Sequence, residues 1–501
     1  MRLFAYSTVL LAIGALFTLV VFRRVRTWSR LRHIPGPRLA GWSRLWLVRQ
    51  QISGRYMLKF REVSQRYGPV ARIGPTYVLI SSPTEIRRIW SIRSGYYRAP
   101  WYEGFRFDPN RDSLVTTIQP AEHSRIRGLV IPGYSGKRLM PNQEQVMDEH
   151  IQKFLSLIER RYVSSRTKFR PWEMARGMQY LTWDVASAVE FGEPFGFLDA
   201  DADMYDAIAA LETMVLPCGI MALLPELLAL VKSPLIKPLL PKPTDSHGVG
   251  RLLGVIAERI EARYSQKVHR DDVLQVFMRS GLSRDDVESE ALLHLFAGSD
   301  TTAMAARTTV FYIATCPAAY KRLQAEIDGV AATVTRPVIS DGEAKGLRFL
   351  QACIKESLRM WPPAAAIAAK ISDVDDVISG VKVPAGTSVA VSWLEMMRDK
   401  NVFGEDAEIW SPARWLDSDP ETLKEMEATQ GMAFANGSRW ECLGKRLASM
   451  ELGKVLFELF LRYDFAMTNP VEPFQWNHQG LTMHRNMRVT VTKRETDRDS
   501  M

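Results

Sequence analysis

The sequence predicts a mainly α protein with minor β structure. Helical patterns dominate the 501-residue chain, and the short segments with strand-like alternation are collected near its two ends. Hydrophobic residues make up 46% of the chain and charged residues 24%, which is typical of a globular protein with an ample core. The globular part contains no internal repeat and no linker, so these observations indicate one large domain.

The first segment departs from this globular pattern. Residues 3–22 carry no charged side chain, and at about 1.5 Å per residue they are long enough to cross a ~30 Å hydrocarbon core. By the positive-inside rule, the rest of the chain is kept in the cytosol by the arginines that follow directly: Arg23, Arg24, Arg26, Arg30 and Arg32. A cleaved signal peptide is the alternative, but the basic cluster lies on the wrong side of the apolar run. We therefore expect a single-pass transmembrane anchor at 1–22, a basic and Pro-Gly-Pro connector at 23–37, and a globular domain at 38–501.

The globule begins with a hairpin, a helix and a long loop. Loose alternation over residues 70–80, broken by a Gly-Pro pair, predicts two antiparallel strands. Ser82 and Pro83 then supply the N-cap and the first helical position of a short helix. The aromatic-rich stretch 96–119 is either a lid or an irregular loop that covers the core.

The middle of the chain, from about residue 141 to 280, has a helical pattern that the Leu- and Pro-rich stretch 216–243 interrupts. Strands return near residues 377–391, with turns at Ser379-Gly380 and Ala385-Gly386.

Charge and cysteine content exclude several classes of protein. The net charge of +9 includes the arginines that follow the apolar segment, and no basic repeat interleaved with aromatics indicates nucleic-acid binding. Four cysteines without a Cys-x-x-Cys pair argue against a disulfide framework and against a zinc site. Cys218, Cys316 and Cys353 are expected to be small buried hydrophobes.

The fourth cysteine, Cys442, lies in a run that is suited to holding a thiolate against a metal. If its sulfur is the axial ligand of a heme iron, Gly437 lets the backbone turn tightly and Phe434 packs beneath the ligand loop. Gly444 then lets the next helix approach the porphyrin, and Arg439 neutralises a heme propionate.

A long helix is predicted from Ser283, which can cap it together with Asp286, to about Thr315. The poor helix formers in its middle, a glycine and two threonines, indicate that something other than propensity keeps them there. Thr301 can bond back to the carbonyl of Ala297 and bend the helix into a groove. Close packing of small residues is the structural alternative.

The run around Cys442 resembles the heme-binding signature of the cytochrome P450 superfamily, Phe-x-x-Gly-x-Arg-x-Cys-x-Gly. All five defined residues are present in order, but two residues separate Arg439 from Cys442 where the signature has one, so the loop is expected to bulge. The segment 297–302 matches the family's Ala/Gly-Gly-x-Asp/Glu-Thr-Thr pattern. The resemblance extends from about residue 34 to 488 and implies the single heme-thiolate monooxygenase fold, with thiolate-ligated heme b as cofactor.

The resemblance also assigns roles to individual residues. It implies that Asp300 relays protons and that Thr301 donates a hydrogen bond to the activated dioxygen. His123 and Arg127 match a helix that reaches a heme propionate, and Lys370 takes a similar role where many relatives carry arginine. A buried network that locks the scaffold behind the cysteine loop is implied for Glu356, Arg359 and Arg414. Glu356 and Arg359 lie at i, i+3 and can pair in any case, although such pairs are also common on exposed helices.

The implied function is hydroxylation or another oxidation of a lipophilic small molecule with dioxygen and electrons from an NADPH-dependent reductase. That reductase is expected to dock near Arg125, Lys445 and Arg446, with cytochrome b5 as an alternative electron donor and no nucleic acid as partner. The implied location is the endoplasmic reticulum membrane, with the catalytic domain facing the cytosol. The leucines of 216–243 either belong to the core or dip into the bilayer beside the anchor.

Stretches 133–137 and 191–197, together with the lengthened cysteine loop, resemble the filamentous-fungal branch related to pisatin demethylase and trichodiene oxygenase. A terpenoid or polyketide secondary metabolite is therefore the expected substrate class. Two alternatives are a heme-thiolate isomerase or dehydratase that needs no reductase, and a non-catalytic membrane heme sensor or carrier. The residues nominated for the substrate pocket are Phe105, Phe296, Ala365, Ile367 and Leu481.

Overall fold

The structure is a computed structural model that describes residues 2–135, 142–266 and 269–495. Helices dominate it, as the sequence predicts. The helices of the first half are α1 (Arg2–Arg30), α2 (Leu45–Ser53), α3 (Tyr56–Tyr67), α4 (Pro83–Trp90), α5 (Pro120–Val130), α6 (Gln143–Arg161), α7 (Met174–Phe191), α8 (Phe197–Ala200), α9 (Ala207–Leu223), α10 (Pro225–Val231), α11 (Gly248–Gln266) and α12 (Val273–Arg279). Those of the second half are α13 (Arg284–Ala314), α14 (Pro317–Val330), α15 (Asp341–Gly346), α16 (Arg348–Met360), α17 (Trp393–Met396), α18 (Lys400–Phe403), α19 (Arg414–Asp417), α20 (Pro420–Gln430) and α21 (Lys445–Arg462). Short 3₁₀ helices lie at Pro100–Phe105, Ile131–Gly133, Met204–Asp206, Lys237–Leu239 and Gly431–Phe434.

Short strands form four small sheets in the described part of the chain. They are β1 (Val70–Arg72), β2 (Tyr77–Ile80), β3 (Tyr97–Arg98), β4 (Trp172–Glu173), β5 (Lys370–Ile371), β6 (Asp376–Ile378), β7 (Val381–Val383), β8 (Ser388–Val391), β9 (Tyr463–Met467), β10 (Gln475–His478), β11 (Thr482–Arg485) and β12 (Arg488–Lys493). The largest sheet has the order β1-β2-β8-β5-β3, and the others are β4-β12-β9, β10-β11 and β6-β7. Within the largest sheet β2 pairs in parallel with β8, which joins residues 77–80 to residues 388–391.

The local predictions for the hairpin and its helix are confirmed. β1 and β2 pair antiparallel, and Ser82 caps α4 by accepting a hydrogen bond from the backbone N–H of Glu85. The turn predicted before β7 is present as well, with Ser379 and Gly380 in the left-handed region at φ 47° and 78°.

The central helix α13 positions the site, and its predicted boundaries are confirmed. Ser283 and Asp286 form the expected capping box, and the helix ends at Ala314. It packs against α7, α16 and α21, so that its middle is enclosed by the main hydrophobic core. Any side chain that α13 directs inward is therefore held in a low-dielectric environment.

The apolar run 3–22 lies inside α1, whose described side chains from residue 11 onward are exposed at Leu11, Phe17 and Phe22. The side chains of residues 2–10 and 12 lie outside the described part. The end of α1 belongs to the globule, because Trp28 stacks on Trp42 with 5.1 Å between ring centroids and its carbonyl accepts a hydrogen bond from Arg72.

The interruption expected from residue 216 begins later in the structure. Helix α9 continues through Pro217 to Leu223, because its last turns are held by close packing. A Cβ at Gly219 would lie 2.1 Å from Gln51 Nε2, and a Cβ at Gly104 would lie 2.3 Å from the backbone nitrogen of Ala222. The 3₁₀ helix Pro100–Phe105 is thereby held directly against α9.

The leucines beyond Pro217 differ in exposure. Leu223 and Leu228 are buried, whereas Leu227 and Leu230 are exposed on α10. By length and composition, one segment of the described residues, Met204–Leu223, could cross a membrane, and half of it is buried in the fold. A core helix of a globular protein has the same composition.

Candidate active site around Cys442

Cys442 lies in the loop between the 3₁₀ helix Gly431–Phe434 and α21, and its backbone N–H donates to the carbonyl of Phe434 at 2.9 Å. Gly437 adopts φ 73°, as the expected tight turn requires. Ala435 is also in the left-handed region, at φ 53°. Two left-handed residues within three positions give this long loop its bulge.

The Cys442 side chain is accessible because it opens onto an internal cavity. Burial raises the pKa of its thiol, while the backbone N–H groups of Gly444 and Lys445 and the charge of Arg127 lower it. A Cβ at Gly444 would lie 3.9 Å from the Cys442 sulfur, an ordinary contact distance. A Cβ at position 444 would therefore not clash with the surrounding protein atoms, but Gly444 lines the cavity.

The cavity at Cys442 has a volume of about 300 Å³ and lies between α5, α7, α13 and α21. Many of the residues that the sequence singled out meet in its wall: His123, Arg127, Thr301, Phe434, Cys442 and Gly444. Asp300, Gly437 and Arg439 are not among its wall residues.

A second, more apolar cavity of about 420 Å³ adjoins the first and shares Cys442 and Thr301 with it. Three of the nominated pocket residues, Phe105, Phe296 and Leu481, line it. Ala365 and Ile367 do not line it, and the alternate residues Ala364, Ala366 and Ala368 do. The nominated positions were wrong by one residue, because neighbouring side chains of this irregular stretch point in different directions.

The groove predicted in α13 is formed by a back-bonded threonine. Thr301 Oγ1 donates to the carbonyl of Ala297 at 2.8 Å, and Ala297, Gly298, Thr301 and Thr302 all line the cavity at Cys442. Glycine and alanine on this face leave the backbone of α13 open to a ligand.

Asp300 faces away from this groove. Its carboxylate accepts a hydrogen bond from Gln179 Nε2 at 2.6 Å and lies 3.8 Å from the guanidinium of Arg307. Burial raises the pKa of Asp300, whereas Arg307 and the Gln179 hydrogen bond lower it. Asp300 therefore lies behind the cavity wall, in a polar cluster between α7 and α13.

A cluster of buried basic side chains lies beside the cavities; Arg98 lines both of them and His123 lines the one at Cys442. The indole of Trp440 is in contact with the guanidinium of Arg98 at 4.4 Å, the ammonium of Lys370 at 4.1 Å and the ring of His123 at 4.3 Å. Within the described ranges, Arg98 Nε, Lys370 Nζ and His123 Nδ1 have no hydrogen-bond partner.

The electrostatics of this cluster indicate a missing anion. Burial, together with the charges of Arg98, Arg127, Lys370 and Arg439, lowers the pKa of His123 to about 2. Burial and the charges of Arg98 and Arg439 also hold the pKa of Lys370 well below its ordinary value. Buried cations of this kind are stable only when they are paired, so the cluster fits a ligand with more than one carboxylate.

Arg98 was missed by the sequence reasoning. It is buried, its Nη1 donates to the carbonyls of Leu114 and Thr117, and it lines both cavities. Its position inside the aromatic stretch 96–119 could have indicated a role in the site, because a cation among aromatic residues needs an anionic partner or a ring face.

Arg127 and Arg439 take different positions around the loop. Arg127 Nη1 donates to the carbonyl of Glu441 at 2.6 Å, which ties α5 to the residue before Cys442. Arg439 donates to the carbonyl of Ile92 at 3.0 Å.

The structure brings together the three residues of the expected ion network. Glu356 accepts from Arg359 at 2.8 and 2.9 Å and from Arg414 at 3.0 Å, and all three side chains are buried. Asp406 supplies a second carboxylate to Arg414. Arg359 also donates to the carbonyls of Met397 and Ala407, so the network holds the segment that follows α17 against α16.

The family model of cytochrome P450 matches residues 35–490 of the chain. The chain belongs to the cytochrome P450 family. Its similar proteins include the cytochrome P450 monooxygenase ABA1 of Pyricularia oryzae, 36% identical over 479 residues that cover 93% of each chain. Aba1 of Botryotinia fuckeliana is 34% identical over 93% of this chain and 92% of that protein. Abl1 of Leptosphaeria maculans is 32% identical over 91% of this chain and 82% of that protein.

The chain is thus a cytochrome P450 monooxygenase with fungal relatives, and heme is the cofactor of its family. The site fits that cofactor on three independent observations. The Cys442 thiol opens onto the cavity, and a helix groove without large side chains lies on the same cavity. Arg98 and His123 also line it, each with a nitrogen that has no hydrogen-bond partner among the described residues. A porphyrin with two propionates would satisfy all three features.

Proposed function

We propose that this protein is a membrane-anchored monooxygenase that oxidises a lipophilic small molecule, a terpenoid or polyketide secondary metabolite. The observation that carries the proposal is the apolar cavity of about 420 Å³ that reaches both Cys442 and Thr301. Aromatic side chains supply much of its wall: Trp90, Trp101, Tyr102, Phe105, Phe107, Phe296, Trp393 and Trp440. Such a wall would bind an apolar substrate through buried apolar surface and would exclude water from it.

Cys442 would hold the heme iron through its sulfur, and the backbone N–H groups of Gly444 and Lys445 would stabilise the thiolate form. Arg98, His123, Arg127, Lys370 and Arg439 are the proposed partners of the two propionates. When heme is bound there, it supplies the activation of dioxygen.

The residues of α13 take complementary parts in the proposed reaction. Thr301 presents its hydroxyl to the cavity beside Ala297 and Gly298, where it can hold a water molecule or a proton. Asp300 is the proposed proton relay behind the wall, where burial raises the pKa of its carboxyl while Arg307 and the Gln179 hydrogen bond lower it.

The membrane and the electron donor belong to the same proposal. Residues 1–22 are the proposed anchor in the endoplasmic reticulum membrane, 23–37 the connector and 38–501 the catalytic domain on the cytosolic side. The exposed leucines Leu39, Leu227, Leu235 and Leu239 offer a further apolar surface for the bilayer.

An NADPH-dependent cytochrome P450 reductase, with cytochrome b5 as an alternative donor, is the proposed source of electrons. It would dock near Arg125, Lys445 and Arg446. Arg125 and Lys445 are paired with Glu122 and Glu441. Docking would therefore exchange these carboxylates for acidic groups of the reductase.

The test is expression in membranes with the reductase, followed by product profiling against terpenoids and polyketides. We expect NADPH consumption that a lipophilic compound stimulates and a product that contains one oxygen atom from dioxygen. Product formation without NADPH would instead identify an isomerase or dehydratase. Heme binding with neither product nor stimulated consumption would identify a sensor or carrier.

A further inference from the structure

A row of titratable residues runs along one face of α13 toward the cavity. Asp286, Glu290 and His294 are four residues apart, and the same spacing continues to Gly298 and Thr302, which line the cavity. Residues at i, i+4 lie one above the other on a helix, so these side chains share a face. The row begins at the N-terminal cap of α13, where the Asp286 carboxylate accepts from the backbone N–H of Ser283.

The inner end of this row opens onto the cavity at Cys442. His294 and Tyr134 both line that cavity, and Nδ1 of His294 lies 3.2 Å from the Tyr134 hydroxyl. The same nitrogen lies 3.6 Å from Oε2 of Glu190, on α7. Glu190 is fully buried, and neither of its carboxyl oxygens has a hydrogen-bond partner among the residues that the structure describes.

Burial raises the pKa of the two glutamates next to His294, Glu290 and Glu190. The pKa of Glu290 is raised to about 7 by burial and by the charge of Asp286, against the lowering effects of the Leu114 N–H and Arg98. Glu190 is shifted the same way by burial. The other charged groups that face it are Asp272 and Glu290, which raise its pKa, and Arg263, which lowers it.

His294 differs from the two glutamates. Burial, partly offset by a hydrogen bond to the Ala186 carbonyl, lowers the pKa of His294 to about 4. Its imidazole is therefore neutral near pH 7, and Nδ1, which faces both Glu190 and the Tyr134 hydroxyl, can take up a proton from the first and release it to the second.

We propose that Asp286, Glu290, Glu190 and His294 form a proton route from the surface end of α13 to the cavity, where His294 and Tyr134 deliver protons independently of Asp300. The proposal rests on the proposed monooxygenase function, in which reducing one oxygen atom of dioxygen to water consumes two electrons and two protons. The reductase supplies the electrons, and bulk water supplies the protons. Each side chain of the route receives one proton for each that it passes on, so none is consumed.

Asp300 does not reach either cavity directly. Its carboxylate is occupied by Gln179 and faces Arg307, and it does not line either cavity at Cys442. His294 and Tyr134 line the cavity and are linked to a buried carboxyl. Water molecules between Glu290 and Glu190 would complete the connection.

The test follows the carboxyl of Glu190 by infrared spectroscopy in the purified full-length holoenzyme, without substrate or reductase. The C=O band of the protonated Glu190 carboxyl is assigned by its loss in Glu190→Gln. If that variant does not fold, the shift of the band in Glu190→Asp assigns it instead. In D₂O the assigned band moves as its proton exchanges. We expect Glu290→Gln to slow this exchange by roughly tenfold or more, since a positioned proton-transfer group contributes about 10²–10⁴-fold.

Two further variants separate proton transfer from structure. Glu290→Asp keeps a carboxyl and should recover much of the exchange rate. Glu458→Gln removes a buried carboxyl on α21 that has a raised pKa and does not line the cavities at Cys442, and it should leave the rate unchanged.

An unchanged exchange rate in a folded Glu290→Gln enzyme would overturn the route, as would equal slowing in Glu458→Gln. The measurement needs no turnover, so failure of the route is distinguishable from failure of the monooxygenase proposal.

Discussion

Asp300 and Thr301 are adjacent in the sequence but face different sides of α13. The Thr301 hydroxyl lines the cavity and bonds back to Ala297, whereas the Asp300 carboxylate is held by Gln179 at 2.6 Å, behind the cavity wall. Successive residues of a helix point about 100° apart, so one step along the chain separates a group inside the cavity from one outside it.

Thr301→Ala should uncouple electron consumption from oxygenation, because the cavity loses its hydroxyl at the groove. Loss of a positioned proton-transfer group typically costs about 10²–10⁴-fold, so product should fall far more than NADPH oxidation does. Hydrogen peroxide and product per NADPH are measured in the same reductase-containing membranes. Thr315→Ala removes a hydroxyl with the same 2.8 Å back-bond at the end of α13 and should leave the ratio unchanged. An unchanged ratio of product to NADPH in Thr301→Ala would show that Thr301 serves only in helix packing.

Cys442→Ser should abolish the red-shifted absorbance band that the reduced carbon monoxide complex shows when a thiolate is the axial ligand. Serine keeps the backbone bond to Phe434 but supplies no thiolate. Cys316→Ser, at a partly buried cysteine outside the cavities at Cys442, is the matched control and should retain the band. Survival of the band in Cys442→Ser would contradict the ligand assignment.

Deleting residues 2–22 should move much of the protein from the membrane pellet to the supernatant without loss of heme binding. The deletion ends before Trp28 and Leu31, which pack on the globule, so the fold is expected to survive. Cell fractionation in high salt, compared with the full-length chain, measures the effect. Complete retention would show that the exposed leucines of residues 227–239 dominate attachment.

Glu356→Gln should destabilise the protein by about 3–5 kcal/mol, because it leaves the Arg359 and Arg414 guanidiniums buried without their shared carboxylate. Denaturant unfolding gives the free energy of unfolding. Glu427→Gln breaks the exposed pair with Lys355 and should cost less than about 1 kcal/mol. Equal costs for the two variants would mean that burial of the network adds nothing.

Glu451→Gln should gain thermal stability relative to the wild type as pH rises. Burial raises the pKa of Glu451 to about 8, so the fold favours the protonated carboxyl. In the wild type, the stability that this preference contributes is complete at low pH and is lost as the pH rises through the folded pKa. The variant does not lose stability in this way, because glutamine does not ionise. Melting temperatures at about pH 5 and about pH 9 measure the difference between the two proteins. A difference that does not change with pH would contradict the shift.

Local features were predictable from the sequence because they depend on neighbouring residues. The capping box at Ser283, the hairpin formed by β1 and β2, and the back-bond of Thr301 each involve residues within a few positions of one another. The cysteine loop was recognisable because its glycine and aromatic residues have fixed spacing.

Features that depend on tertiary contacts were not predictable. The direction of the Asp300 side chain depends on Gln179 of α7, and the continuation of α9 past Pro217 depends on packing against residues 51 and 104. Arg98 becomes part of the site only because Lys370 and Trp440 come from distant segments. The one-residue error at Ala365 and Ile367 arose because the stretch has no sequence periodicity that would show which of its side chains face the pocket.

The parallel pairing of β2 with β8 has a consequence for biosynthesis. Residues 77–80 are translated long before residues 388–391, so the growing chain must carry β2 without its partner while most of the protein is still being made. An unpaired apolar strand edge is a site of aggregation, and such distant contacts fold slowly. Ribosome-bound chains that stop short of β8 should therefore depend on chaperones, and a nonsense mutation before residue 388 should yield an aggregating fragment.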